Sequence, residues 1–131
     1  MEFAYPLAAL STIIIALVLF MFSAQVGAMR GKHGIEAPAT TGHEAFDRAF
    51  RIHMNSIEQV VLFLPLMWLF AMLVSDLYAG IAAAVWVAGR ILYSRNYMRD
   101  PSTRSVGFVT SLLALATALI WSLVEVIMIL L

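Results

Sequence analysis

The sequence predicts an all-α integral membrane protein, a bundle of four transmembrane helices forming a single domain over residues 1–131. Three observations predict it. First, 63% of the 131 residues are hydrophobic and 12% are charged, whereas soluble domains run about 45–50% apolar and about 25% charged. Second, four apolar runs, at about residues 5–29, 46–74, 77–97 and 104–130, use nearly the whole chain. A helix needs about 20 residues to cross a hydrocarbon core. Third, all eight Lys and Arg (Arg30, Lys32, Arg48, Arg51, Arg90, Arg95, Arg99 and Arg104) fall toward the first and third connections, while Glu2, Asp76 and Glu125 fall opposite. The positive-inside rule makes the basic side cytoplasmic and puts both termini on the other.

The first run carries Pro6 in its opening turn, where a missing N–H costs least. A secretory signal opens on a positive segment and this run opens on Glu2, so it reads as a retained span. Residues 30–44, RGKHGIEAPATTGHE, hold three glycines and a proline and read as a loop outside the hydrocarbon. Thr41 or Asp47 is the candidate cap for the next helix.

The second run begins polar and ends as nearly pure hydrocarbon. Its uninterrupted apolar part, residues 60–74, covers roughly 22 Å at about 1.5 Å per residue, short of a core about 30 Å thick. Its polar face must therefore dip into the membrane edge, toward protein or water and away from lipid. Pro65 stands mid-span and predicts a kink. Ser75-Asp76 predicts a tight turn that makes the second and third helices antiparallel neighbours.

The third run starts with small residues, AGIAAAVWVAG, a composition that lets helices approach closely. It then acquires Arg90, Tyr93, Arg95 and Tyr97. Asp100-Pro101-Ser102 predicts a turn, with Ser102 as the candidate cap of the fourth helix. Glu125 lies near the far end of that helix, at the opposite interface.

Two helix faces stand out. Arg51, Asn55 and Glu58 are spaced i, i+4 and i+7 and share an arc of about 60°. Arg90, Tyr93 and Tyr97 share a face of the third helix at i, i+3 and i+7. Arginine forks bind carboxylates, and Glu58 suits an ammonium. Plainer readings stand beside this one. Glu58 and Arg90 could form a structural ion pair, since intramembrane charges find partners. Tyr93 and Tyr97 could be interface aromatics, and Lys32, Arg48, Arg95 and Arg99 headgroup anchors. His33 and His43 read as solvated loop residues, and His53 as a polar-face residue with no second metal ligand at ligand spacing. Trp68, Trp86 and Trp121 read as packing or lipid-facing residues.

Zero net charge argues against a nucleic-acid partner, and the absence of cysteine removes thiolate metal sites and a protein thiol nucleophile. Any thiol chemistry must use a sulfur brought by the substrate. No zinc signature, phosphate loop or nucleophile motif is present, so no metal is expected.

Arg51-x-x-x-Asn55-x-x-Glu58 followed by Phe63-Leu64, then Gly89-Arg90-x-x-Tyr93-x-x-x-Tyr97, resembles the MAPEG superfamily, the membrane-associated proteins of eicosanoid and glutathione metabolism. The resemblance covers essentially the whole chain, including the loop Pro38-Ala39-Thr40-Thr41-Gly42. It implies a homotrimer with glutathione as co-substrate, held between subunits and open to the cytoplasmic side. On the matching positions, Arg30, Arg51, Asn55, Glu58, Tyr93 and Tyr97 would bind the tripeptide. Arg104 would be the catalytic residue, facing the sulfur. The other partners it implies are membrane lipid and a lipophilic electrophile.

Gln59 stands where the leukotriene-forming branch has a tyrosine, Gly31 where it has a basic residue, and His53 replaces a glutamine. These departures weigh against leukotriene-specific activity more than against the glutathione site. The implied activity is conjugation of glutathione to lipophilic electrophiles, with reduction of hydroperoxides as a second outcome. The alternative is a non-catalytic binder of lipid or of a partner protein. A transporter has little support, because no span is broken twice. The short loops suit a bacterial plasma membrane.

Overall fold

The computed structural model describes residues 3–131. The expected position of Glu2 lies outside the described residues. Helix α1 spans Pro6–His33, α2 Glu44–Leu73, α3 Asp76–Arg99 and α4 Ser105–Leu130, with a short 3-10 turn at Pro101–Thr103 before α4. All four helices are long and apolar enough to cross a membrane. At about 1.5 Å per residue the shortest is roughly 36 Å long, so helix ends project past a core of about 30 Å.

Burial runs opposite to that of a soluble bundle. Leu17, Phe20, Ile120 and Leu123 point outward along α1 and α4, while Ala8, Ser11, Ala79, Ala83, Ser111 and Ala118 are buried. Lipid solvates the large side chains, and small residues let the backbones close in. The larger core members, Ile15, Phe63, Met67, Phe70 and Trp86, fill the space between. The buried hydroxyls of Ser56 and Ser111 are satisfied within their own helices, Ser56 Oγ donating to the Ile52 carbonyl at 2.8 Å.

The closest approach lies between α3 and α4. A Cβ on Gly107 would fall 2.3 Å from the Tyr93 backbone nitrogen, and one on Gly89 would fall 2.7 Å from that of Ser111. Only glycine lets these two backbones touch. The α2–α3 seam is built from side chains instead: Trp86 Nε1 donates to Gln59 Oε1 at 3.1 Å, and the Trp86 ring stacks on Phe63.

Several boundaries differ from the sequence reading. Arg30 does not begin the first loop, because α1 continues to His33 and ends at Gly34, whose φ of 65° is the left-handed cap that glycine adopts freely. Neither Thr41 nor Asp47 caps α2. His43 does, with Nδ1 accepting the Ala45 N–H, while the Asp47 carboxylate turns back to accept from Thr41 Oγ1 and the Gly42 N–H. His43 is not an isolated loop residue, for its ring stacks on His33 with centroids 3.5 Å apart. Ser102 does not cap α4, since it lies inside the 3-10 turn and donates its N–H to Asp100 Oδ1. That hydrogen bond holds the Asp100 carboxyl below the usual carboxylate range. Arg48 is no simple headgroup anchor: it pairs with Glu44 and donates to the Met98 carbonyl at 2.9 Å, tying the start of α2 to the end of α3.

At the other end of the bundle, the turn at Val74-Ser75 brings Asp76 beneath α1. Its two carboxylate oxygens accept the N–H groups of Leu7 and Ala8 at 2.9 and 2.8 Å. Those amides have no partner within their own helix. Helix α2 passes through Pro65 as one unit, with that residue exposed.

Candidate functional site

The periodicity of α2 sends Arg51 and Asn55 to one side, and α3 brings Tyr93 and Tyr97 to meet them. The 3-10 turn then places Arg104 at the N-cap of α4. Together these five residues line a cleft of about 420 Å³, completed by Ser105, Phe108 and Val109. The Tyr93 and Tyr97 rings lie 5.4 Å apart. The Arg104 guanidinium is 5.7 Å from the Tyr97 ring centroid, and its Nη1 donates to the Pro101 carbonyl at 2.7 Å. A second, outer cleft shares Arg51 and Tyr97 and continues past Thr41, His43 and Arg48, so the site opens toward the basic end.

The two glycines set the position of Tyr93. With Gly107 against the Tyr93 backbone, that ring lies between α2 and the first turns of α4, and it also meets Phe108 at 6.4 Å. One side of the cleft is therefore polar and cationic, and the other, through Phe108 and Val109, is apolar. Such a cleft can hold a polar anionic molecule beside an apolar one.

Glu58 stands one turn beyond Asn55 and is exposed. Asn55 Nδ2 donates to Glu58 Oε2 at 3.3 Å. The alternative reading of Glu58 and Arg90 as an ion pair is not met, since the two do not touch directly. Arg90 Nη1 donates to Asn55 Oδ1 at 2.8 Å, so the amide bridges the cation and the acid. A carboxylate exposed on a membrane helix is available to a ligand.

Arg30 is not in the cleft. It donates to the Ala39 carbonyl at 2.7 Å and lies over the Phe46 ring, holding the first loop against α1 and α2. Of the seven site residues read from sequence, five line the cleft, Glu58 flanks it and Arg30 stands apart. Sequence reasoning missed Ser105, Phe108 and Val109. Their signal was the spacing Arg104, Phe108, i and i+4 in the first turns of α4. The Gln59–Trp86 bond was also missed, since neither residue marks its partner.

Two comparisons bear on this geometry. The family model described as the MAPEG family matches residues 8–124. An uncharacterised protein from Synechocystis is 37% identical over 125 residues, covering 95% of this chain and 90% of that one. Human microsomal glutathione S-transferase 2 is 36% identical over 100 residues, covering 75% and 68%. Guinea-pig (Cavia porcellus) leukotriene C4 synthase is 32% identical over 112 residues, covering 81% and 75%.

Proposed function

The chain belongs to the MAPEG family, and from that premise we propose that it is a membrane glutathione transferase joining the glutathione thiolate to lipophilic electrophiles. It is a multi-pass integral membrane protein of a glutathione-related transferase family. The observation that carries the finer reading is the convergence of Arg51, Asn55, Tyr93, Tyr97 and Arg104 on one cleft, with Glu58 at its flank. Glutathione offers two carboxylates, one ammonium and a thiol. Arg51 and the tyrosine hydroxyls suit its carboxylates and peptide groups, and Glu58 suits its ammonium.

A free thiol titrates near 8.5 and is mostly unreactive at neutral pH. Arg104, permanently charged, would stabilise the thiolate as its proton leaves to solvent. The sulfur lone pair then forms the new S–C bond while the electrophile releases its leaving group with that bond's electrons. With a hydroperoxide, the same thiolate attacks the terminal oxygen, forming a sulfenic acid and releasing the alcohol. A second glutathione then gives the disulfide and water. The apolar partner arrives from lipid along α4, where Phe108 and Val109 line the cleft.

The whole chain acts as one domain in this reading. The exposed Glu58, and an Arg30 that lies outside the cleft, suit a homotrimer in which each cleft is completed by a neighbouring copy. The clefts face the cytoplasm and the termini the opposite side of a bacterial plasma membrane. Calorimetry with glutathione on detergent-purified protein tests the reading. Millimolar glutathione is expected to bind the wild type, and Glu58→Gln to weaken it at least about tenfold, the loss of one charged hydrogen bond. No binding by the wild type overturns it.

A further inference from the structure

Arg90 is the one cation buried among the described residues, with no measurable exposure. Burying a guanidinium in a membrane bundle is costly, and the usual compensation is a carboxylate. Among the described residues no carboxylate touches it. Nη1 gives its hydrogen bond to the Asn55 amide oxygen, and Nε and Nη2 meet no acceptor among the described residues. The rest of the compensation is the Tyr93 ring, 4.1 Å from the guanidinium carbon. Arg90 itself does not line the cleft. Both groups it touches do, one from α2 and one from α3.

An arginine only donates. By occupying Asn55 Oδ1 it fixes which way that amide points, and so aims Nδ2 at Glu58, 3.3 Å away. Without Arg90 nothing anchors Asn55 Oδ1, and the amide is free to swing away from Glu58 into the cleft. From the other side the guanidinium holds the Tyr93 ring, whose backbone is already pinned by Gly107.

We propose that Arg90 is a positioning residue for the glutathione site: it orients Asn55, and through it Glu58, together with the Tyr93 ring, without touching the ligand. This rests on the glutathione reading above. It places one determinant of glutathione affinity on a residue outside the cleft, and keeps it separate from thiolate formation at Arg104.

The test is steady-state kinetics with a soluble electrophile, 1-chloro-2,4-dinitrobenzene, and calorimetry with glutathione, on wild type, Arg90→Met, Arg90→Lys, Asn55→Ala and the Arg90→Met/Asn55→Ala double variant. Folding and assembly of each are checked by size exclusion in detergent. Arg90→Met is expected to raise the glutathione KM about tenfold or more, the loss of a charged hydrogen bond, with kcat at saturation within about twofold. Arg90→Lys, which keeps the charge and a donor, should recover most of the affinity. In the Asn55→Ala background, Arg90→Met should cost less affinity than it does alone, because only the arm through the Tyr93 ring remains to be lost.

A purely structural Arg90 gives a different pattern: fewer folded molecules but an unchanged KM for those that fold, and no rescue by lysine. That pattern overturns the proposal while leaving the glutathione reading intact. If Arg90→Met does not fold, Arg90→Lys and Asn55→Ala still decide: a wild-type KM in Asn55→Ala overturns the relay. Failure of the wild type to bind glutathione removes the reading itself, and this inference with it.

Discussion

Helix α3 meets its two neighbours in opposite ways. Against α4 it presents bare backbone, with Gly89 and Gly107 bringing the chains to a distance that no Cβ would fit. Against α2 it presents long polar and aromatic side chains, Arg90 to Asn55 and Trp86 to Gln59, one helical turn apart. The first seam fixes where α3 sits. The second fixes which chemical groups face the cleft. A site that needs atoms held in place uses a rigid seam for geometry and a polar seam for identity. The difference predicts that the two respond to substitution in separate currencies, one in stability and the other in binding.

Gly107→Ala should break the comparison most directly. The new methyl would strike the Tyr93 backbone, which cannot rotate away as a side chain could, so the cost should reach or exceed the ~3 kcal/mol upper end of ordinary overpacking. Thermal unfolding and size exclusion in detergent would show it as loss of folded protein. Normal stability would mean the seam is looser than its glycines indicate.

Arg104→Ala comes next, at the point where the glycine seam opens into the cleft. Glutathione should still bind within about threefold of wild type. The thiolate absorbance of the bound tripeptide at neutral pH should fall by about a factor of ten, equivalent to one pKa unit. Unchanged ultraviolet absorbance would take Arg104 out of the chemistry.

Asp76→Ala lies outside both seams. It removes two charge-assisted hydrogen bonds at the start of α1 and should cost about 1–2 kcal/mol of stability, as helix caps do. Glutathione affinity, measured at the other end of the bundle, should not change.

The smallest effect should come from a matched pair. Gln59→Leu alone strands the Trp86 N–H and should cost more than the double variant Gln59→Leu/Trp86→Phe, which removes both partners and should stay within about 1 kcal/mol of wild type. A double variant worse than the single would show that this rung is worth more than its hydrogen bond.

The four spans were legible because composition and hydrophobic run length are local properties, and the helix-two face was legible because i, i+4, i+7 spacing follows from helical pitch alone. The Tyr93–Tyr97 pair was legible for the same reason. Partner choice was not. Charge alone pointed Arg90 to Glu58, and only the mutual rotation of α2 and α3 gives the guanidinium to the amide of Asn55. Arg30 carries the same charge as Arg51, yet the extra turn of α1 delivers it to Ala39 and the first loop. His43 at the N-cap was hidden because Thr41 and Asp47 are the commoner capping types. Gly107 was hidden because a glycine's use depends on what approaches it. Each of these is decided by a neighbour distant in the chain.

Asp76 carries one more consequence, in the order in which the molecule is made. Helix α1 leaves the ribosome before α3, but the carboxylate that accepts its Leu7 and Ala8 amides is encoded 69 and 68 positions later. A nascent chain halted before that point has a first helix whose opening amides depend on interfacial water. The first turn of α1 is therefore completed only when the α2–α3 hairpin has been synthesised, inserted and folded back against it.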